Sequence, residues 1–436
     1  MLLSHRFQGK NLELCPGYIK SSKNQFTAIV GKNGSGKSRL LNELVRKTLT
    51  SSAGPNKPDR PPIDVIALST SPFDKFLLPD HKEYLLGYHY MGLRGLYSAN
   101  LSLSFMTRII GGLFKSLHNS PQRLKIILST LSYLEYHENF EIQFTIQPKL
   151  SGLKKPQELI DYFLKYGTWL SIGKARSSNY QKIKEDILET DDVSKIFDAI
   201  HYLSKISTRK RMSVIISEGG VKDSSGNALD AEKISELIEV DLIKLNEISL
   251  HKKGVSSPYH VNDASSGEQC VLMAVLGIAS RISNGAFICI DEPEICLHPE
   301  WQERYIKNLM EAFEEFTGCQ FLIATHSPQI ISRLNDENCY VLDLQTGKSY
   351  ASTEFNKRSA DYQLATLFKT PGLRNEYLLR EAVNVLGTMS SKLELDKDKL
   401  RIAKSLVSLK EQFTQGDPVL DLIILVEDGL EALGRG

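Results

Sequence analysis

Four short runs of strand-forming residues set the frame of this chain. Phe26–Val30 and Val65–Ser69 are continuous apolar or β-branched stretches of the kind that forms strands buried on both faces. Phe287–Ile290 and Phe321–Ala324 read the same way. After the first run a Gly-rich turn leads into a helical pattern, with Leu40, Leu41, Leu44 and Val45 on one face. A Pro/Ser/Gly loop is predicted over 51–62. From about 100 to 210 the apolar spacing is mostly helical, as in Leu124, Ile127, Leu128 and Leu131, and predicts an inserted helical subdomain. No heptad pattern persists long enough for a coiled coil. Strand-like alternation returns over 211–260, in Met212–Ile216 and Val240–Leu245, and helix and strand alternate over 261–345. Amphipathic helical patterns run from about 350 to the end. The predicted division is an N-terminal lobe over 1–100, a helical insertion over 101–210, a second lobe over 211–345 and a helical C-terminal region over 346–436. That last region is a candidate for partner docking.

Composition narrows this only slightly. The 436 residues are 41% hydrophobic and 24% charged, enough for a sizeable core in two or three subdomains. Lys and Arg number 53 against 52 Asp and Glu, so net charge argues neither for nor against nucleic acid. Local basic runs, Arg209–Arg211 and His251–Lys253, read as solvated faces. The six cysteines show no CxxC pairing and are predicted to be free and buried, as in a reducing compartment. No apolar run approaches the roughly 18–20 residues that span a bilayer. The N-terminus lacks the build of a signal peptide. The expectation is a soluble, cytoplasmic protein without a membrane partner.

Four motifs carry the chemistry. Gly31, Lys32, Asn33, Gly34, Ser35, Gly36, Lys37 and Ser38 fit G-x-x-x-x-G-K-[ST] between a strand and a helix. The glycines let the backbone wrap a pyrophosphate so that successive N–H groups point inward. The helix N-terminus adds positive potential; Lys37 can reach the β- and γ-phosphates, and the Ser38 hydroxyl can ligate Mg²⁺. Arg39, next in the chain, is grouped with these nucleotide-binding candidates. Paired acids, Asp291 and Glu292, end the strand Phe287–Ile290: Asp291 suits the Mg²⁺ shell, and Glu292 suits polarisation of the attacking water. Ser265, Ser266, Gly267, Glu268 and Gln269 open an apolar helix, where a hydroxyl and a glycine amide make an anion site. A capping box between Ser265 and Glu268 explains the same residues structurally, and the two readings are compatible. Phe321, Leu322, Ile323, Ala324, Thr325, His326 and Ser327 read as a strand ending in histidine.

In that order these motifs resemble the ABC ATPases, and the S-S-G-E-Q signature resembles its SMC-like and RecF-like branches. The resemblance implies an α/β fold: a P-loop ATPase head with a mixed sheet, a helical insertion between Lys37 and Ser266, and a helical C-terminal extension. It implies ATP and Mg²⁺ as cofactors, with Glu292 and His326 catalytic. Nucleotide binding would fall to the phosphate loop and, across a head-to-tail dimer, to Ser265–Glu268 of the other copy; higher oligomers of dimers are compatible with this. The stretch Asp291, Glu292, Pro293, Glu294, Ile295, Cys296, Leu297, His298, Pro299, Glu300, Trp301, Gln302 departs from transporters. It is similar to the D-E-P-E-x-x-L-H-P-x-x-Q form of RecF-like and overcoming-lysogenisation-defect ATPases. With Ala360–Tyr362 and Pro371–Glu376, the chain most resembles the ATPase subunits of the Septu anti-phage system. That resemblance implies control of a separately encoded HNH nuclease. The ATPase of the PARIS system, with a TOPRIM partner, and RecF-type repair clamps acting on DNA are the alternatives.

Two features depart from the pattern. No Gln lies between 26 and 116 to serve after the second strand, so Ser71 or Asp74 are the substitutes offered and turnover is expected to be slow. The adenine contact falls to Arg6 or Phe7 by stacking. Leu422–Gly429 looks like the first strand of a TOPRIM nuclease, but no D-x-D can follow it. The ten histidines show no H-x-H or H-H pair, so no nuclease of its own is expected.

Overall fold

The computed structural model describes residues 2–15, 23–52, 63–78, 87–94, 101–117, 121–146, 191–206, 211–239, 242–255, 259–260, 264–391 and 395–434, with a few positions between 155 and 161. Of the loop predicted at 51–62, Ser51 and Ser52 belong to the helix Lys37–Ser52, while 53–62, Arg209, Lys210, Val240, Asp241 and residues 162–190 of the insertion lie outside the described residues.

The apolar runs become strands β3 (Gln25–Val30), β4 (Val65–Ser69), β11 (Phe287–Asp291) and β12 (Gln320–Ala324), each buried at every position. Full burial follows from packing on both faces, which parallel sheets require. They form the centre of a seven-stranded sheet with β5 (Tyr88–Gly92), β13 (Cys339–Asp343) and β14 (Lys348–Ala351), in the order β14-β13-β3-β12-β11-β4-β5. All neighbours pair in parallel except β14, which runs antiparallel to β13 and makes the sheet mixed. A hairpin of β1 (Ser4–Phe7) and β2 (Lys10–Glu13) precedes it.

Register brings the carboxyl ends of the central strands level. Asp291 lies opposite both Ser69 and Ala324, and Ala324 opposite Ile29. The loops leaving these strands therefore converge on one edge, where open α/β sheets bind ligands.

Residues alternate across the sheet. Ile29, Val65, Ala67, Cys289 and Leu322 pack with Leu40, Leu41 and Leu44 of α1 (Lys37–Ser52). Ala28, Val30, Ile66, Leu68, Ile290 and Ile323 face a larger core on the other side. There Phe321 stacks on Phe26 with ring centroids 4.4 Å apart. Burying such a phenyl ring contributes about 1.5–3 kcal/mol.

That larger core continues into the inserted region. Helices α2 (Leu101–Leu117), α3 (Pro121–Tyr133), α4 (Asp191–Ile206) and α5 (Ala231–Glu239) pack around a five-stranded antiparallel sheet. Its strands are β6 (Tyr136–Ile146), β7 (Arg211–Ser217), β8 (Gly220–Asp223), β9 (Ile243–Lys252) and β10 (Tyr259–His260), in the order β10-β9-β6-β7-β8. The expected helical insertion thus also contains a strand, β6, in which Phe140, Ile142 and Phe144 alternate with period two and point inward. The sheet also straddles the boundary placed at 211, because β6 pairs with β7 and β9 from beyond it.

Helices α6 (Ser266–Ala279) and α7 (Pro299–Ala312) return the chain to the main sheet. The C-terminal helices α8 (Glu376–Ser390), α9 (Lys397–Ser408) and α10 (Pro418–Ala432) share a core of their own. Leu422–Gly429 lies inside α10, not in a strand: Asp417 caps it, Pro418 opens it, and Val419, Ile423, Val426 and Leu430 are buried at helical spacing. All six cysteines are free, and only Cys296 is not fully buried. No described helix is long and apolar enough to cross a membrane.

Candidate functional site

At the carboxyl edge of β3 the chain turns through Gly34 and Gly36, both at positive φ (76° and 98°). Gly36 has a second constraint: a Cβ there would stand 2.9 Å from Gln8 Nε2 and 3.1 Å from the Phe7 ring. The β1–β2 hairpin thus rests on the phosphate loop. Phe7 is buried in that contact, which removes it as a stacking surface for adenine, while Arg6 is exposed. Gly31 has its own limit, since a Cβ would meet Ser35 Oγ at 2.7 Å. The Ser35 hydroxyl is buried without a hydrogen-bond partner. Asn33 and Gly34 lie along the loop and Arg39 in the first turn of α1, all three exposed.

Lys37 opens α1 yet is only 5% exposed. Its ammonium donates to the Gly31 carbonyl at 3.3 Å and contacts His326 Nε2. Burial lowers its proton affinity, partly offset by the charges of Glu292, Asp291 and Glu294. Ser38 Oγ donates to Asp291 Oδ1 at 3.1 Å. The Asp291 carboxyl is pushed up to about 7 by burial, against the Ser38 bond and with help from Glu292 and Asp74. Among the described residues no three His, Cys, Asp or Glu side chains cluster as a metal site. One hydroxyl and one carboxylate fit Mg²⁺, which keeps waters and takes the rest of its shell from phosphate. The orphaned Ser35 hydroxyl, the buried ammonium and the α1 N-terminus fit a polyphosphate.

Glu292 follows with φ 48° and ψ 57°, a left-handed conformation costing an L-residue about 1–2 kcal/mol. Its N–H still donates to the Ala324 carbonyl at 2.9 Å, extending the ladder past β11. Its Oε1 stands 3.6 Å from His326 Nε2. His326 lies two residues beyond the end of β12, not on it. Burial and the neighbouring Lys37 ammonium lower its imidazole to about 4, so it is neutral at neutral pH. Its N–H donates to Glu294 Oε1. Lys37, Ser38, Asp291, Glu292 and His326 therefore converge as one cluster.

The signature residues stand apart from that cluster. Ser265 caps α6, with Glu268 N donating to Ser265 Oγ at 3.3 Å. Glu268 Oε2 accepts from the Ser265 N–H at 3.0 Å and its hydroxyl at 2.9 Å. Burial works against the Glu268 charge, but these bonds and Lys252 hold its carboxyl below the usual range. Glu268 is thus spent on the cap. Gly267 is required by packing, since a Cβ would meet the Trp301 indole at 2.9 Å. Ser266 is exposed at the helix tip. Among the described residues no hydrogen bond joins Ser265–Glu268 to the Lys37–His326 cluster.

The substitutes offered for the missing glutamine do not fill its place. Asp74 is buried and accepts from Tyr90 Oη at 2.7 Å and Phe76 N at 3.0 Å, with Arg94 Nε 3.6 Å away. Ser71 Oγ accepts from Phe73 N at 3.2 Å. Both build the loop after β4 and leave Phe73 80% exposed. The Ser69 hydroxyl donates to the Asp291 carbonyl at 3.4 Å. Thr70 Oγ1 is buried without a partner and lines a small cavity with Asp291, Pro293 and Tyr305. Sequence reading also gave no role to Glu294, Trp301 or Gln302. Their only signal was the D-E-P-E-x-x-L-H-P-x-x-Q string, which does not say where each side chain points.

Residues 116–332 match the family described as "AAA domain, putative AbiEii toxin, Type IV TA system". The chain is similar to the "Retron Ec83 probable ATPase" of Escherichia coli, at 21% identity over 74% of this chain and 68% of that one. It is also similar to the "Retron Vc95 probable ATPase" of Vibrio cholerae serotype O1 biovar El Tor, at 23% identity over 78% and 74%. Among solved structures it aligns with the Smc head domain with an extended coiled coil from Pyrococcus furiosus. That alignment has 16% identity and a TM-score of 0.27, and covers 76% of this chain and 91% of that one.

Proposed function

We propose that this protein is an ATPase of the ABC/SMC class whose two active sites form between two copies of the chain. One observation carries the reading. The hydrolytic groups converge at the sheet edge, while Ser266 stands exposed on a helix N-terminus that, among the described residues, no hydrogen bond joins to them. A γ-phosphate on Lys37 would need further donors on its open side, and a second copy packed head to tail brings Ser266 and the Gly267 amide there. ATP then bridges the copies, and hydrolysis removes the bridge. Lys37 would hold the β- and γ-phosphates, and Gly31 and Asn33–Gly36 would wrap them. Arg39, at the start of α1, would add charge nearby. Ser38 and Asp291 would hold Mg²⁺, whose bound charge offsets that of the triphosphate. Glu292 would accept the proton of the attacking water, and neutral His326 would orient it.

The biological setting is inferred from the relatives named as retron ATPases and from the Septu-like motifs. We infer a regulatory subunit of an anti-phage complex that restrains or releases a separate HNH nuclease docked on the insertion or the C-terminal helices.

A mixing experiment tests the composite site. Lys37→Ala and Ser266→Arg are each expected to be inactive. Mixed in equal amounts, they should recover about a quarter of wild-type ATP turnover, because half the dimers carry one intact site of two. A mixture as inactive as its components rules out sites shared between copies. Nuclease control fails separately if a co-purified HNH partner cleaves DNA equally with ATP, with ADP and with neither.

A further inference from the structure

One buried carboxyl beside the candidate site has no part in the chemistry above. Glu294 lies two residues after Glu292, in the 3-10 turn Pro293–Cys296. Its neighbour Ile295 is 54% exposed, but the Glu294 carboxyl turns inward. One oxygen accepts the main-chain N–H of His326, and the other, Oε2, is buried. Burial raises its proton affinity, against the His326 bond and the nearby Glu294 main chain and Thr325 side chain, with Glu292 adding to the rise.

What that carboxyl secures is local. The ladder between β12 and β3 continues one residue past the strand, with Thr325 N donating to the Ile29 carbonyl at 3.1 Å. The His326 N–H comes next and donates to Glu294 instead of to a neighbouring strand. The following residue is anchored by the same stretch of chain: Ser327 Oγ donates to Gln302 Oε1 at 2.6 Å, and Gln302 Nε2 donates to the Leu297 carbonyl at 2.8 Å. Ser327 also caps the short helix Pro328–Ser332 through Ile330 N at 3.1 Å. The histidine segment is thus tied at two successive residues to the chain that follows Glu292.

Resting on the ATPase reading above, we propose that Glu294 is a positioning residue for hydrolysis. By accepting the His326 N–H, it fixes the direction in which the imidazole leaves the main chain and keeps it between Lys37 and Glu292. The role belongs to an acceptor oxygen at the reach of a glutamate, and it does not require the negative charge.

The test uses the full-length protein with three variants, measuring kcat, KM and equilibrium binding of a non-hydrolysable ATP analogue. Glu294→Gln keeps a carbonyl acceptor and should retain kcat within about threefold of wild type, whereas Glu294→Met, of similar length but without the acceptor, should lose about tenfold or more. Glu294→Asp keeps the charge but falls one methylene short, and is expected to lose as much as Glu294→Met. In each case KM and analogue binding should move by less than about threefold, because the triphosphate ligands are untouched. In a His326→Ala background Glu294→Met should have little further effect, since it acts through the histidine.

Wild-type kcat in Glu294→Met overturns the proposal. So does a Glu294→Gln as impaired as Glu294→Met, or losses that multiply in the double variant. If Glu294→Met does not fold, the contrast between Glu294→Asp and Glu294→Gln decides: a retained Asp with an impaired Gln assigns the role to charge and refutes it. A wild-type protein that binds the analogue without hydrolysing ATP removes the ATPase reading itself, a result separate from any ordering among the variants.

Discussion

Glu292→Gln is expected to slow ATP turnover by about a hundredfold or more while leaving ATP binding intact. The amide keeps the size of the carboxylate but cannot accept a proton from water at neutral pH. Its main-chain bond to Ala324 does not depend on the side chain, so the left-handed turn and the Asp291 position should survive. With hydrolysis blocked, ATP should persist as the bridge, and the variant should accumulate as a species of twice the 49.0 kDa chain mass when ATP and Mg²⁺ are present. Light scattering after size exclusion, with and without nucleotide, reads this directly. Wild-type turnover in Glu292→Gln would show that another group activates the water.

The second large effect belongs to Lys37. Lys37→Met should weaken ATP binding by about a hundredfold, because it removes the buried cation proposed to hold the β- and γ-phosphates. The same change should leave the nucleotide-free protein as stable as wild type or raise its melting temperature by about 1–3 °C. Without a triphosphate the ammonium is desolvated beside a carbonyl and a neutral imidazole, and this burial lowers its proton affinity although Glu292, Asp291 and Glu294 partly offset it. A thioether of similar length avoids that cost. Two thermal melts per protein, with and without Mg·ATP, measure both effects. A lower melting temperature in the nucleotide-free variant would mean that Lys37 supports the fold instead of being held ready for phosphate.

Both expectations rest on residues legible before any fold was known. The phosphate loop, the paired acids, the signature and the histidine are local strings whose spacing fixes their backbone setting. The runs before the loop, the acids and the histidine are short, apolar and bounded by turn residues, as buried strands are. Less was legible where a segment's partner decides its state. Residues 136–146 alternate with period two but are flanked by helical patterns, and they are a strand because β7 and β9 pair with them. Leu422–Gly429 is rich in β-branched residues, yet its helix buries Val419, Ile423, Val426 and Leu430 in one core. Asp74 illustrates the same limit within the site: its type allowed a metal ligand, but Tyr90 and Arg94 occupy it.

The sequence by itself determined which chemical groups this protein holds and the order in which they come, because hydrogen-bonding type and backbone freedom are properties of each residue. Only the tertiary structure decided their company. Register across β4, β11 and β12 set Asp291 level with Ser69 and Ala324. Packing turned Glu294 inward to His326, spent Glu268 on a helix cap and left Ser266 facing out. Those outcomes depend on contacts between residues far apart in the chain, and no local pattern encodes which of the available partners will be within reach.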